Sequence, residues 1–200
     1  MNINMSRDQL LERLQTMVSK KRYKHILRVE ETALDMAGKY QLDLEKVSIA
    51  ALMHDYAKDM NGQEMLQLAQ AYWPQAGLEE QNENIWHGFA AAQLGKSQFE
   101  IKDSAILNAI ASHTIGNYQM DDLAQVICVA DYIEPGRDFE GVDHVRKIAK
   151  DNVTQAMVYK LSKSLCHLIE DNQPVFEESI RIYNHWIKQT IKTEVLLSKD

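Results

Sequence analysis

The stretch VSIAALMHDYAKD, residues 47–59, decides how the rest of the chain is read. Val47 to Met53 present apolar side chains nearly all round a helix, and a helix of that kind belongs in the centre of a domain. Asp43 is suited to cap its start. Its other end delivers His54 and Asp55, an imidazole and a carboxylate that must be satisfied somewhere, because an unpaired buried charge is costly. Neighbours in a helix point about 100° apart, so the two can share a metal ion only near the helix end. Neutral imidazole with carboxylate suits Fe, Mn or Zn. An ion pair with Lys58 is the plainer alternative.

Outward from this segment the pattern stays helical. Prolines occur only at 74, 135 and 174, and the stretches between such breakers carry apolar residues at helical spacing. Ser6 and Gln9 form a capping-box pattern for a first helix. A second spans about 21–40, and a fourth starts at Asn61 with Glu64 three residues on. Further helices are expected over 83–95, 103–113, 121–133, 143–152, 154–170 and 175–194. VICVA at 126–130 is the one β-like run; its helical flanks make it a buried helix. The expected architecture is an all-α, single-domain bundle of about eight to ten helices. It covers residues 1–200, with a core over about 20–185 and short helical extensions at both ends.

Composition narrows the function classes. The formal charge is −7, with 22 basic and 29 acidic residues, and this disfavours coating nucleic acid or an anionic membrane. Cys128 and Cys166 form no CxxC pair and no disulfide framework, so a reducing compartment is the default. The N-terminus reaches charge too early for a signal peptide, and no apolar run approaches the roughly 20 residues of a membrane span. A cytoplasmic location is expected. Neither nucleic acid nor membrane is an expected partner.

Seven histidines are present. His25 lies on the second helix with Arg28 three residues later on the same face, a ligand beside a guanidinium suited to phosphate. His87 is followed by Gly88, which allows close backbone approach, and His113 ends a helix. Asp131 closes VICVAD as Asp55 closes its own greasy helix. Each candidate sits at or near the end of a core helix, which suggests convergence. A lone histidine is more often structural, so the ordered set carries the signal. His144, His167 and His185 read as surface or packing residues, and Cys128 as core.

The ordered set His25, His54-Asp55 and Asp131 resembles the HD-domain metal-dependent phosphohydrolases. KHILRVEETALDMA (24–37), ALMHDYAKD (51–59), IWHGFAAA (85–92), ASHTIG (111–116) and above all VADYIEPGRDFEGVD (129–143) resemble the YqeK family within it. The resemblance covers roughly residues 20–185. It implies an all-α enzyme that cuts diadenosine tetraphosphate symmetrically into two ADP, so a dinucleoside polyphosphate substrate and nucleoside diphosphate products. It further implies iron, one or two ions per chain with Mn or another divalent metal as the alternative, held by His25, His54, Asp55 and Asp131. His87 and His113 would hold a second metal or contact phosphate. Arg28, Arg137 and Lys58 would bind phosphate, and residues 174–179 (Pro174, Val175, Phe176, Glu177, Glu178 and Ser179) would line the nucleoside. Asp55 is the expected bridge between metals and hydroxide, and Asp59 a candidate to support it or to activate water. Glu140 stands where the family pattern has proline, which would loosen the loop carrying Arg137. Another HD phosphohydrolase, such as a nucleotidase or a guanosine tetraphosphate hydrolase, and a non-catalytic nucleotide sensor remain the rival readings. The sequence leaves oligomeric state open, a homodimer included.

Overall fold

The computed structural model describes residues 2–74 and 77–197, with side chains to residue 190. Ten α-helices run in chain order among the described residues: α1 (Arg7–Met17), α2 (Lys20–Ala37), α3 (Leu44–Met53), α4 (Gly62–Tyr72), α5 (Glu83–Gln98), α6 (Ser104–Ser112), α7 (Asp122–Ile133), α8 (Val142–Asp151), α9 (Val153–Glu170) and α10 (Glu177–Leu197). The all-α expectation holds, and no strand occurs among these residues.

The helix starts follow from local chemistry. Ser6 and Gln9 form the reciprocal capping box of α1. The carboxylate of Asp43 accepts the Glu45 and Lys46 backbone N–H groups, and Asn61 likewise caps α4. The second helix stops at Ala37, three residues short of the sequence expectation; a 3-10 turn, Gly38–Tyr40, completes it before Gln41 enters the left-handed region at φ 51°. VICVA is helical, inside α7, as its flanks required.

The buried apolar side chains form one continuous cluster from Ile3 to Trp186. Its axis is α7, buried from Leu123 to Ala130 and again at Ile133. This helix packs against α2, α3, α6, α8 and α9, while α5 joins α4 and α6. Small residues let these helices close on one another: Ala50, Ala51, Ala90, Ala91, Ala109, Ala124 and Ala130 are fully buried. Gly88 is an enforced case, because a Cβ there would stand 3.0 Å from the Ala111 carbonyl oxygen and 3.2 Å from His113. The α5–α6 approach therefore depends on glycine at 88. No helix of the described residues is long and apolar enough to cross a membrane.

Asp103 ties two of these helices together. Its carboxylate caps α6 through the Ala105 and Ile106 N–H groups and pairs with Lys46 Nζ of α3 at 2.6 Å. The Lys46 bond, with the two caps, holds this carboxyl below its ordinary value of 3.8 despite some burial. Its contribution is thus present above that pH and fades as pH falls through the folded value. Asp103→Ala should cost about 1 kcal/mol at pH 7, and the difference from the parent should shrink below pH 3.8. Denaturant titration at both pH values checks this; a pH-independent difference would contradict it.

Candidate metal centre

Five helices deliver six side chains to one buried point. His25 comes from the second turn of α2, and His54 is the C-terminal cap of α3 with Asp55 just beyond it. His87 sits in the second turn of α5, His113 caps the end of α6, and Asp131 lies in the last turn of α7. His25, His54, Asp55, His87 and His113 are buried and Asp131 is half-buried. The helix-end convergence expected from the sequence is what the fold builds.

Asp55 is the hub. Its Oδ1 lies 3.1 Å from His87 Nε2 and 3.8 Å from His113 Nε2. Its Oδ2 lies 3.5 Å from His54 Nε2 and 3.6 Å from His25 Nε2. His25 Nε2 is also 3.0 Å from Asp131 Oδ1. One oxygen of Asp55 thus faces each pair of imidazoles.

The far nitrogens of the rings explain the near ones. His54 Nδ1 donates to the Ala51 carbonyl at 2.6 Å and His113 Nδ1 to the Ile110 carbonyl at 2.8 Å. His87 Nδ1 donates to the Glu83 carbonyl at 3.0 Å. His25 Nδ1 donates to Glu134 Oε1 at 3.1 Å. Glu134 is an acceptor because it is ionised: against its burial, Arg28 first, then His25 and the Gly136 N–H hold its carboxyl down to about 2. A neutral ring that donates through Nδ1 presents a lone pair at Nε2. Four such lone pairs therefore converge, and those of His25 and His54 are buried without a hydrogen-bond partner.

This donor set fits a divalent ion. The ligand atoms of His25, His54 and Asp131 lie within 4.8 Å of one another, as do those of His54, Asp55 and His113. His87 Nε2 and His113 Nε2 stand 2.9 Å apart, close to the separation of about 3 Å for two nitrogens bound at right angles to one ion. The electrostatics point the same way. Burial opposes ionisation of Asp55, yet the neighbouring His54 first, then His87, hold its carboxyl well below the usual range. Asp131 is held down in the same way, by the neighbouring His25 first, then His54 and Arg137. Burial, then the neighbouring His87 and His54, push His113 well below an ordinary histidine. The pocket holds anionic oxygens beside imidazole nitrogens, and an ion bound there would displace any proton that the two share.

The expected phosphate ligands stand around this pocket, already paired. Arg28 Nε and Nη2 both bond Glu134. Arg137 donates from Nη2 to Asp131 Oδ1 at 2.7 Å and from Nε to the Asp131 carbonyl at 2.9 Å. Lys58 donates to Asn84 Oδ1 at 2.9 Å. Asp59 is exposed, and its carboxylate accepts the Ser19 backbone N–H at 2.6 Å, which pins the start of α2. In the 174–179 segment Phe176 is buried edge-on to Trp73, which stacks on Phe89 of α5 at 4.6 Å. That segment therefore borders the helix carrying His87. His144 and His167 are exposed, and Cys128 is buried.

Four residues of this region escaped the sequence reading. Glu134 fixes the His25 tautomer. Arg22 of α2 bonds Asp55 Oδ2 at 2.6 Å. Arg146 donates to the carbonyls of Ile133, Glu134 and Arg137, which ties down the loop that Glu140 was expected to loosen. Lys160 of α9 is buried and donates to the carbonyls of His113 (2.9 Å) and Thr114. Its ammonium complements the negative end of α6 and holds the turn from which the Thr114 hydroxyl reaches His113 Nε2 at 3.1 Å. The EPGR motif itself offered one signal: a glutamate before a turn, among so many cations, needs a partner.

Comparisons with known proteins agree with this geometry. The HD-domain family model matches residues 22–136. The chain is similar to a protein of Bacillus subtilis named "Bis(5'-nucleosyl)-tetraphosphatase, symmetrical", at 38 % identity over 183 residues, 92 % of this chain and 98 % of the relative. A Staphylococcus aureus protein of the same name is 34 % identical over 188 residues, 93 % of this chain and 95 % of that one. The fold resembles a crystal structure from Clostridium acetobutylicum described as a "predicted HD superfamily hydrolase involved in NAD metabolism". There the TM-score is 0.86 at 34 % identity, covering 92 % of this chain and 98 % of that one.

Removal of the Lys160 ammonium tests how the His113 turn is held. Lys160→Met leaves buried carbonyl oxygens without a donor, which should cost on the order of 2 kcal/mol. Chemical denaturation measures it, and a change under about 0.5 kcal/mol, the size expected of an ordinary surface substitution, would show the contact to be incidental.

Proposed function

The chain belongs to the HD-domain family, and from that premise we propose that it is a metal-dependent phosphohydrolase that cleaves dinucleoside tetraphosphates, diadenosine tetraphosphate foremost, symmetrically into two nucleoside diphosphates. The observation that carries the chemistry is the convergence of four Nε2 lone pairs on two ionised carboxylates within a rim of guanidinium and ammonium groups. The similarity of nearly the whole chain to symmetrical tetraphosphatases carries the substrate class.

In this reading His25, His54, Asp55 and Asp131 hold the metal, and His87 with His113 hold a second ion or contact phosphate. Iron is the proposed metal, with manganese as the alternative. A bound divalent ion would supply a water of lowered pKa at neutral pH and polarise the phosphoryl oxygen it touches. Asp55, with one oxygen towards each imidazole pair, would be a ligand common to both ions if two bind. Arg28 and Arg137, each about one-third exposed, and Lys58 face incoming phosphates with N–H donors already oriented by Glu134, Asp131 and Asn84. They align the central anhydride and offset charge as it moves to the leaving side. Water attacks a central phosphorus, the bond to the bridging oxygen breaks, and a nucleoside diphosphate departs. That leaving group is weakly basic, so positioning and charge stabilisation matter more than a general acid. Phe176 and its neighbours to Ser179 would border the nucleoside. A single domain over residues 1–200 and a cytoplasmic setting belong to the same reading.

The test is product identity with metal analysis on protein purified without oxygen. Two ADP per diadenosine tetraphosphate are expected; AMP with ATP, or released inorganic phosphate, would contradict symmetrical cleavage. His54→Ala and Asp55→Ala should lose metal and turnover together. The loss of turnover should exceed about 100-fold, since even outer partners of metal ligands cost 10–100-fold.

A further inference from the structure

The inward side chains all come from helices up to α7, yet α9 and α10 hold the turn that follows His113. Gly116 ends that turn at φ 80°, with its N–H on the Ser112 carbonyl at 2.8 Å. From there three successive residues meet α10. A Cβ at Gly116 would stand 3.0 Å from Ile182 Cγ2 and 3.5 Å from Leu161 of α9. The Asn117 carbonyl accepts the Trp186 indole N–H at 2.7 Å. The Tyr118 ring meets His185 edge-on, with centroids 5.3 Å apart. Ile182 and Trp186 are buried, so α10 is packed onto this turn. On the turn's inner side Thr114 Oγ1 lies 3.1 Å from His113 Nε2 and 3.3 Å from His87 Nε2. Lys160 holds the carbonyls of His113 and Thr114 from behind. At its other end α10 starts at Glu177, directly after Phe176, whose ring meets Trp73. About 15 Å of helix separates Phe176 from Trp186, at 1.5 Å per residue.

We propose that α10 is a positioning element of the reaction: Trp186 and Ile182 fix where His113 and Thr114 stand, relative to the segment at the start of the same helix. This deepens the reading above and rests on it for the roles of His113 and of residues 174–179. The physical argument has three parts. A helix closes its backbone bonds within itself, so its ends keep a set separation. A hydrogen bond at Asn117, with an apolar contact one helical turn away at Gly116, leaves residues 113–117 little freedom of their own. A nucleoside seated against residues 174–179 is thereby registered to the His87–His113 side of the pocket without touching it. Trp186 acts through the Asn117 carbonyl and is a positioning residue. Small errors of placement at reacting groups are costly in rate, which gives this contact its consequence.

Steady-state kinetics on diadenosine tetraphosphate, with the full chain loaded with Mn²⁺, test this in wild type, Trp186→Phe, Ile182→Leu and Tyr40→Phe. Trp186→Phe removes one N–H and keeps most of the ring. Its kcat should fall about tenfold while KM stays within about twofold, as expected when a reacting group is slightly misplaced. Ile182→Leu conserves volume and withdraws the branch methyl from Gly116, so its kcat should also fall. Tyr40→Phe deletes a single bond elsewhere, the one from the Val153 N–H, and should keep its kcat. Hydrogen exchange at the Gly116 amide, measured without metal or substrate, reads the turn itself. It should be about fivefold faster in Trp186→Phe, the effect of one lost hydrogen bond. The proposal is overturned by unchanged kcat in Trp186→Phe, by a rise in KM alone, by an equal loss in Tyr40→Phe, or by unchanged Gly116 exchange. If Trp186→Phe does not fold, Ile182→Leu decides on both readouts. A wild-type chain that leaves the substrate uncut would instead refute the reading beneath, and Gly116 exchange would still decide the link between α10 and the turn.

Discussion

Keeping two carboxylates charged at the point where the core helices end is the constraint on which the structure depends. Asp55 and Asp131 are carried there by the ends of α3 and α7, two of the most apolar helices of the bundle. Burial alone would neutralise them. Four imidazoles and two arginines oppose this, and each of those groups needs its own support: backbone carbonyls for His54, His87 and His113, and Glu134 for His25. The helix arrangement supplies those carbonyls. An imidazole that caps its helix, as His54 and His113 do, donates Nδ1–H to a carbonyl three residues back and turns Nε2 outward.

This arrangement resolves the tension between an acidic chain and a polyanionic substrate. The formal charge of −7 describes the whole surface, whereas a small polyphosphate meets the local field of one cleft. Around that cleft lie Arg22, Arg28, Lys58 and Arg137, each within bonding distance of a group that also touches, or neighbours, the ligand cluster. The acidic surplus lies elsewhere, for instance at Glu79 and Glu80 beyond α4.

The fold was legible because its elements announce themselves locally: capping residues at Ser6, Asp43 and Asn61, apolar stripes, and few breakers. The six inward side chains were legible for a related reason, since a polar pair at the end of a greasy helix has few explanations. The supporting groups were not. Glu134 bonds Arg28 across 106 residues, Arg22 bonds Asp55 across 33 and Lys160 bonds His113 across 47. Such pairings depend on how helices cross, and no spacing along the chain encodes them. The same holds for Arg146, which bonds the carbonyls of Ile133, Glu134 and Arg137 just ahead of Glu140, the position where proline was expected.

The central claim is that four histidines donate through Nδ1 and present Nε2 lone pairs to a common point. Long-range proton–nitrogen NMR on histidine-labelled protein, recorded metal-free and with diamagnetic Zn²⁺, reads those tautomers directly. The account predicts Nδ1–H signals for His25, His54, His87 and His113, with their Nε2 resonances shifting on metal addition. An Nε2–H tautomer at His25 or His54, or Nε2 resonances indifferent to the metal, would contradict it.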